Sequence, residues 1–304
     1  MRKILVLLMV FVLVTGALFA AGKAEAKKDG VITIGMTVPG LEFPFFITMQ
    51  DEAKAHAAEI GVNLLTHDSQ NASSKQMEAI ENYIAQKVDG ILISPITEDS
   101  LVPAIEAAVA AGIPVATVDR KANTDVIVAH VGADNVEGGR AAGRFVVERL
   151  GNKGRVIELE GTPGASPAID RKAGFDEIVN ASNVQIIVSQ TADFSRSKAQ
   201  NVMENLIQAY PNFDAVFGAN DEMIIGAIEA MLSAGIDPAT KVTIGFDADT
   251  DAFVYMKEGK LNATIDQYPG QQANRAMDLL VDYIKTGKKP AEQLQFISPL
   301  PVTE

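Results

Sequence analysis

The chain has 304 residues with 47% apolar content, enough for two lobes of about 100 to 150 residues, each with its own core. Its 26 basic and 39 acidic residues leave a formal charge of −13, and no basic run follows the first residues, which argues against nucleic acid and anionic membrane surfaces as partners. Cysteine is absent, which excludes disulfides, thiolate catalysis, zinc–thiolate centres and a Cys-linked lipid anchor.

Arg2 and Lys3 precede an unbroken apolar segment from Ile4 to Val14, which closes on Gly16-Ala17-Leu18-Phe19-Ala20-Ala21-Gly22. This pattern is that of a secretory signal peptide, assigned to residues 1–22. The apolar run is shorter than the roughly 20 residues of a membrane-spanning helix. Cleavage after Ala20, after Gly22 or after the Ala24-Glu25-Ala26 triplet fits equally well. Removal of residues 1–22 takes the formal charge from −13 to −15 and sends the mature chain across the inner membrane to the periplasm.

The first strand is Val31-Ile32-Thr33-Ile34-Gly35-Met36, followed by a loop from Val38 to Phe46 and then helical spacing through Met49, Ala53, Ala57 and Ile60. The unit repeats with a strand from Val62 to Leu65, a helix from about Ser74 to Gln86, a strand from Gly90 to Pro95 and a helix from about Ser100 to Ala111. The strand Ile113-Pro114-Val115-Ala116-Thr117-Val118 ends in Asp119-Arg120, a carboxylate beside a guanidinium at the C-terminal edge of a buried run. Open α/β sheets bind their ligands at that edge. An acceptor next to a planar fork of donors complements an uncharged molecule rich in hydroxyls, such as a sugar or polyol. Taken alone, the pair suits a surface salt bridge equally well.

A second series runs through strand Arg155–Leu159, helix Pro167–Val179, strand Val184–Val188, helix Lys198–Ala209, strand Ala215–Phe217, helix Met223–Ala234 and strand Val242–Asp247. The halves match letter by letter in places. Ala104-Ile105-Glu106-Ala107 and a strand ending in Asp119 parallel Ala227-Ile228-Glu229-Ala230 and a strand ending in Asp247, while Val88-Asp89-Gly90 parallels Phe213-Asp214-Ala215. The expected fold is therefore α/β, with two similar doubly wound parallel-sheet lobes and a ligand cleft between them. A helix from about Gln271 to Lys285 after the second lobe indicates that the chain crosses back. Crossings near Gly132-Ala133-Asp134, Asp266-Gln267-Tyr268 and Ile297-Ser298 divide it into one lobe of residues 30–133 with 268–296 and another of 134–267 with 297–304.

No catalytic constellation is convincing. His56, His67 and His130 lie in different elements without a second His at ligand spacing and read as surface or strand-end residues. The glycine-rich stretches Gly161–Gly164 and Gly132–Gly139 miss both nucleotide-binding patterns and read as loops after strands. Asp247, Asp249, Asp251 and Glu258 fall at positions 1, 3, 5 and 12 of a calcium-loop template. Position 6 is nevertheless Ala252, and the plainer reading is a strand-end carboxylate before a helix with an acidic first turn. The positive signal is a ring of polar and aromatic residues at strand ends. Phe45 and Phe46 follow the first strand, Phe194 follows Ala192-Asp193, and Arg171, Asn220 and Asp247 supply donors and acceptors in the second half.

These residues resemble those of the periplasmic sugar-binding proteins of ABC transporters, and most of all the ribose-binding group, from about Asp29 to Ile297. The segments that carry the resemblance are Pro44-Phe45-Phe46, Asp68-Ser69-Gln70-Asn71, Val118-Asp119-Arg120, Asp134-Asn135 with Gly138-Gly139, Val156–Leu159, Arg171 with Gly174-Phe175, Ala192-Asp193-Phe194, Asn220–Met223, Gly245-Phe246-Asp247, and Gly259–Leu261 leading to Ala263–Ile265. The resemblance implies a sugar sandwiched by Phe45 and Phe46 from one lobe and Phe194 from the other. Its hydroxyls would be held by Asp119, Arg120, Arg171, Asn220, Asp247 and Gln267. One position departs from the pattern: the ribose binders carry a sugar-contacting Asn where this chain has Phe43, so a ligand that is apolar, deoxy or differently configured at that corner is expected unless Glu42 turns inward.

The resemblance implies a monosaccharide or polyol ligand, an inner-membrane ABC permease as partner, a chemoreceptor as a further possible partner, and a monomer with no cofactor, no metal and no catalysis. Two other classes stay open on the residues alone: a receptor for a furanose-like signalling molecule, and an extracytoplasmic enzyme acting on sugars. The effector domain of the lactose-repressor family shares the pattern of elements, but such chains begin with a helix-turn-helix where this one carries a signal peptide.

Overall fold

A β-branched strand followed by a helix buries both sheet faces when each unit returns beside the last, and most of the chain is built this way. The computed structural model describes residues 30–303, so the signal peptide expected at residues 1–22 lies outside the described residues. The first series is β1 (Thr33–Val38), α1 (Pro44–Glu59), β2 (Asn63–Asp68), α2 (Ser73–Gln86), β3 (Gly90–Ile93), α3 (Val102–Ala110), β4 (Val115–Val118) and β5 (His130–Ala133). The second is α4 (Asn135–Arg149), β6 (Gly154–Glu160), α5 (Ser166–Asn180), β7 (Val184–Thr191), α6 (Arg196–Ala209), β8 (Ala215–Gly218), α7 (Asp221–Ser233), β9 (Val242–Ile244), α8 (Thr250–Lys257) and β10 (Ala263–Asp266). It is followed by α9 (Pro269–Thr286), β11 (Leu294–Ile297) and β12 (Leu300–Thr303).

Among the described residues the strands form two six-stranded sheets, ordered β11-β5-β4-β3-β1-β2 and β12-β10-β9-β8-β6-β7. Neighbours pair in parallel except β10 with β12, which run antiparallel. The two doubly wound lobes expected from the pattern of elements are present. The internal sequence match has a structural counterpart, because β4 and β9 hold the same place in their sheets and deliver Asp119 and Asp247 at equivalent edges. Asp214 accepts from the Arg155 N–H at the start of β6 at 2.8 Å, as Asp89 accepts from the Thr33 N–H at the start of β1 at 2.8 Å. The chain passes between sheets after β5, after β10 and between β11 and β12, and the Asp134 N–H donates to the Ile297 carbonyl at 3.0 Å, tying the first passage to the third.

Two segments differ from the sequence reading. Helix α1 begins at Pro44, so Phe45 and Phe46 lie in its first turn rather than in a loop, and Phe43 is the residue that caps it. Proline suits that start, since it lacks an N–H that the helix would leave unpaired and its φ is already helical. The stretch Gly132–Gly139 is not a loop either: Gly132 ends in β5, while Gly138 and Gly139 sit inside α4. The Asp134 carboxylate caps that helix by accepting from the Glu137 N–H at 3.0 Å. Its glycines serve close packing. A Cβ on Gly139 would run into the Arg171 carbonyl, one on Gly174 into the Val136 carbonyl, and one on Gly143 would lie 2.9 Å from the Ile178 Cβ. Helices α4 and α5 thus lie backbone to backbone, and α5 carries Arg171.

Gly174→Ala tests this packing with an unambiguous sign. Within an exposed helix the change would stabilise by up to about 1 kcal/mol, whereas a Cβ forced against a carbonyl destabilises by about 1–3 kcal/mol. Urea unfolding is expected to show a lowered midpoint with an unchanged slope; a raised midpoint would contradict the close approach of α4 and α5.

Candidate functional site

The C-terminal edges of both sheets face one small cavity. It is lined by Phe43, Phe45 and Phe46 after β1, Asp119 and Arg120 after β4, Arg171 from α5, Phe194 before α6, Asn220 before α7, Asp247 after β9, Gln267 after β10, and Pro167 from α5. All ten residues singled out in the sequence meet there, and Pro167 joins them without having been anticipated. The segments on either side also touch directly. Lys121 Nζ lies 2.8 Å from the Asp170 carboxylate, the Lys121 N–H donates to Ser166 Oγ at 2.8 Å, and the Glu98 N–H donates to the Gly164 carbonyl at 2.9 Å.

The backbone turns sharply where the strands deliver these groups. Asp119, Phe194 and Asp247 have φ of 61°, 60° and 119°, in the region that favours glycine. A non-glycine residue held there costs on the order of 1–3 kcal/mol and persists only where its surroundings enforce it. In each case the turn leaves the side chain at the cavity.

Arg120 lies between two aromatic faces, with its guanidinium carbon 5.4 Å from the Phe46 ring centre and 5.4 Å from that of Phe194. Its Nη1 donates to the Ile96 carbonyl at 2.9 Å, while its buried Nε has no hydrogen-bond partner among the described residues. Asp119 accepts from Ser94 Oγ at 3.1 Å. Arg171 packs on the Phe246 ring at 3.6 Å, donates from Nε to Asn135 Oδ1 at 2.8 Å and from Nη1 to the Ala219 carbonyl at 2.7 Å, and reaches Asp247 Oδ1 at 3.5 Å. Gln267 Nε2 donates to that same Asp247 oxygen at 2.6 Å. Asn220 caps α7 by accepting from the Met223 N–H at 3.0 Å and donates from Nδ2 to the Phe194 carbonyl at 3.2 Å. Phe45 and Phe43 meet Phe46 edge to face, at 5.1 and 6.2 Å between ring centres.

Asp119 and Asp247 balance Arg120 and Arg171, so the cavity walls carry no net formal charge. Burial raises both carboxylates above their ordinary range, opposed by the neighbouring guanidiniums, and burial lowers Arg120 to about 10, which leaves it cationic at neutral pH. Among the described residues, Asp119 Oδ1, Asp247 Oδ2 and the Nη2 groups of both arginines make no hydrogen bond. The site therefore offers both acceptors and donors to whatever occupies it.

The calcium-loop pattern does not assemble. Asp247 is engaged with Arg171 and Gln267, Asp251 pairs with Arg196 at 2.6 Å, and Glu258 pairs with Lys260 at 2.6 Å. Among the described residues no group of three or more His, Cys, Asp or Glu is placed to hold a metal ion. His130 begins strand β5 as a strand-end residue but is fully buried rather than at the surface. It lies 3.0 Å from Thr117 Oγ1, and burial holds its pKa down at about 3. Ser94, Asn135 and Phe246 support the charged pairs from behind. Ser94 is marked in the sequence only by its position next to a strand end, a signal shared with many structural residues, whereas Asn135 and Phe246 also fall in segments that carry the resemblance.

The family described as periplasmic binding protein domain matches residues 34–289. The ribose import binding protein RbsB of Bacillus subtilis (strain 168) is 42% identical over 255 residues, covering 83% of this chain and 82% of that protein. The galactofuranose-binding protein YtfQ of Escherichia coli (strain K12) is 36% identical over 287 residues, covering 91% of this chain and 90% of that protein. The crystal structure of the Caulobacter myo-inositol binding protein, bound to myo-inositol, superposes with a TM-score of 0.86 at 33% identity, covering 91% of this chain and 95% of that one.

A second set of carboxylates stands behind Asp247. Asp221 is fully buried, accepts from the Asp249 N–H at 2.9 Å and from Thr264 Oγ1 at 2.8 Å, and is raised well above its ordinary pKa by burial. The Asp249 side chain, with Oδ2 buried and unpartnered among the described residues, is pushed up to about 7 by burial and then by Glu222 and Asp251, against Arg196. A carboxyl raised in the folded state binds its proton more tightly there than in the unfolded chain. Its contribution to stability is therefore full below about pH 4 and declines as the pH rises towards 7. Asp249→Asn is expected to melt at a higher temperature than the wild type at pH 8 and at the same temperature below pH 4. Equal melting temperatures at pH 8 would contradict the burial of a charged Asp249.

Proposed function

Since this chain belongs to the periplasmic binding protein family, we propose that it captures one uncharged monosaccharide or polyol between its lobes and presents the closed form to an inner-membrane ABC permease. The observation that carries this reading is the cavity itself, walled by Phe45, Phe46 and Phe194 and lined by two carboxylates and two guanidiniums of zero net charge. Aromatic faces cover the C–H faces of a sugar ring. Each free acceptor and donor takes one side of a hydroxyl, and a hydrogen bond to a charged group contributes about 1.5–3 kcal/mol. The residues belong to both sheets, so only the closed arrangement completes the set. Ligand contacts of that kind drive closure, because they stabilise one state over the other.

In this reading the lobes are residues 30–133 with 268–296 and residues 134–267 with 297–304, hinged at three crossings. The protein acts in the periplasm as a monomer, without catalysis or cofactor, and the closed form is also the one a chemoreceptor would read. Sugar-binding relatives such as RbsB and YtfQ support the ligand class.

Phe43 sets the ligand apart from ribose. It is buried, lines the cavity and packs edge to face on Phe46, whereas Glu42 is exposed, with its carboxylate against Gly40 rather than in the cavity. A ligand hydroxyl at that corner finds no partner there, at a cost of about 1–3 kcal/mol. The ligand therefore presents a C–H edge to Phe43.

The first test is a thermal-shift screen of refolded protein against pentoses, hexoses, ketoses, polyols and inositols, since binding raises the apparent stability by RT ln(1 + [L]/Kd). A shift with at least one neutral sugar or polyol is expected, and silence across the panel would contradict the reading. With the sugar so identified, Arg171→Ala and Asp119→Ala should each weaken binding by more than about tenfold, as loss of a charged hydrogen bond predicts. Unchanged affinity in a calorimetric titration would remove these residues from the site. Phe43→Asn should raise the affinity for ribose relative to that sugar; an unchanged preference would show that Phe43 does not set specificity.

A further inference from the structure

Asn135 is not among the residues that line the cavity, yet both ends of its amide are committed. It opens helix α4 immediately after the first crossing and is 5% exposed. Its Nδ2 donates back to the carbonyl of Ala133, the last residue of β5, at 3.2 Å, and its Oδ1 accepts from Arg171 Nε at 2.8 Å. The side chain therefore spans from the edge of the first sheet to a guanidinium held by the second. Asp134, next to it, is bonded to Ile297 in the third crossing, so the backbone carrying Asn135 is tied to two of the three crossings.

Arg171 needs such a hold. A long flexible side chain loses about 2 kcal/mol of rotamer entropy when it is fixed, and a group already fixed in the free protein avoids that loss on binding. Phe246 supports one face of the guanidinium, while the Ala219 carbonyl at 2.7 Å and Asp247 Oδ1 at 3.5 Å both take Nη1, so these contacts hold a single nitrogen and allow the fork to turn about it on the ring face. The Asn135 bond to Nε stops that rotation and leaves Nη2 for the cavity. An amide suits the task better than a carboxylate. It accepts from Nε and donates to Ala133 at once, and it adds no charge to a site in which Asp119 and Asp247 already balance Arg120 and Arg171.

We infer that Asn135 is a positioning residue: it fixes the orientation of Arg171 and links that orientation to the first hinge crossing. This rests on the sugar-binding reading for its effect on affinity, but not for the contact itself, and two readouts separate the two. In ligand-free protein, the Arg171 Nε–H resonance should exchange slowly with solvent in the wild type and rapidly in Asn135→Ala. Equal exchange overturns the positioning role whether or not a sugar binds.

With a sugar from the thermal-shift panel, Asn135→Ala should weaken binding about tenfold in the wild-type background. It should do so by no more than about twofold in Arg171→Lys, whose side chain has no Nε–H for Asn135 to hold. Equal losses in the two backgrounds, or none in the first, overturn the inference, because groups that act through one another are non-additive. A merely structural role would lower the ligand-free melting temperature equally in both backgrounds and leave the affinity difference at zero. Should the alanine variant fail to fold, Asn135→Ser keeps a polar group at the helix start that cannot span to Nε, and it carries the same expectations.

Discussion

The structure depends on a balance of four buried charges. Asp119 with Arg120, and Asp247 with Arg171, are brought to one cavity by equivalent edges of two sheets, each of the four no more than 6% exposed. Burying such groups costs several kcal/mol apiece unless partners replace the lost water. The protein supplies some of those partners: Ser94, Ile96, Asn135, Ala219 and Gln267, together with the ring faces of Phe46, Phe194 and Phe246. The partners still missing, on one oxygen of each carboxylate and the outer nitrogens of each arginine, are those that a neutral molecule with several hydroxyls provides. In the proposed reading affinity and closure share a cause, since the ligand would complete a set of hydrogen bonds that neither lobe makes alone.

The fold serves this balance through duplication. Strands β4 and β9 occupy the same place in sheets of the same order, and each is followed by an aspartate turned into the cavity by a backbone of positive φ. The halves differ in how the paired arginine is supplied. Arg120 follows its aspartate directly in the chain, whereas Arg171 comes from α5, and its position depends on the glycine-lined contact with α4. Arg171 is therefore held by tertiary packing and by the crossing that precedes α4, while Arg120 is held by its own strand end.

Much of this was legible in the chain because it follows from local rules. Alternating β-branched and alanine-rich segments dictate parallel sheets, and apolar runs that stop at Asp119, Asn220 or Asp247 mark the edges where ligands bind. Helix α4 was less legible, because three glycines in one helix carry the composition of a loop, and only the backbone of α5 lying against them explains why they are there. The start of α1 was misread for a related reason: Phe43-Pro44-Phe45-Phe46 looks like a turn, but proline opens helices as readily as it ends them. Pro167 carried no signal of its own, and Phe246 and Asn135 stood out only within segments that resemble the family, since the importance of each comes from which distant residue it meets. His130 shows the same limit, as burial of a strand's first residue depends on β11 lying beside it.

If charge balance is the organising constraint, adding one charge to the ligand should abolish binding even when its shape is kept. The most direct measurement is a pair of calorimetric titrations, one with the best neutral monosaccharide or polyol and one with its carboxylate counterpart of the same ring configuration. The account predicts saturable one-to-one binding of the neutral compound and at least about a hundredfold loss for the carboxylate, since an unpaired charge would be carried into a cavity already neutral. Equal or tighter binding of the carboxylate would contradict it and would mean that Arg120 and Arg171 are not matched by Asp119 and Asp247.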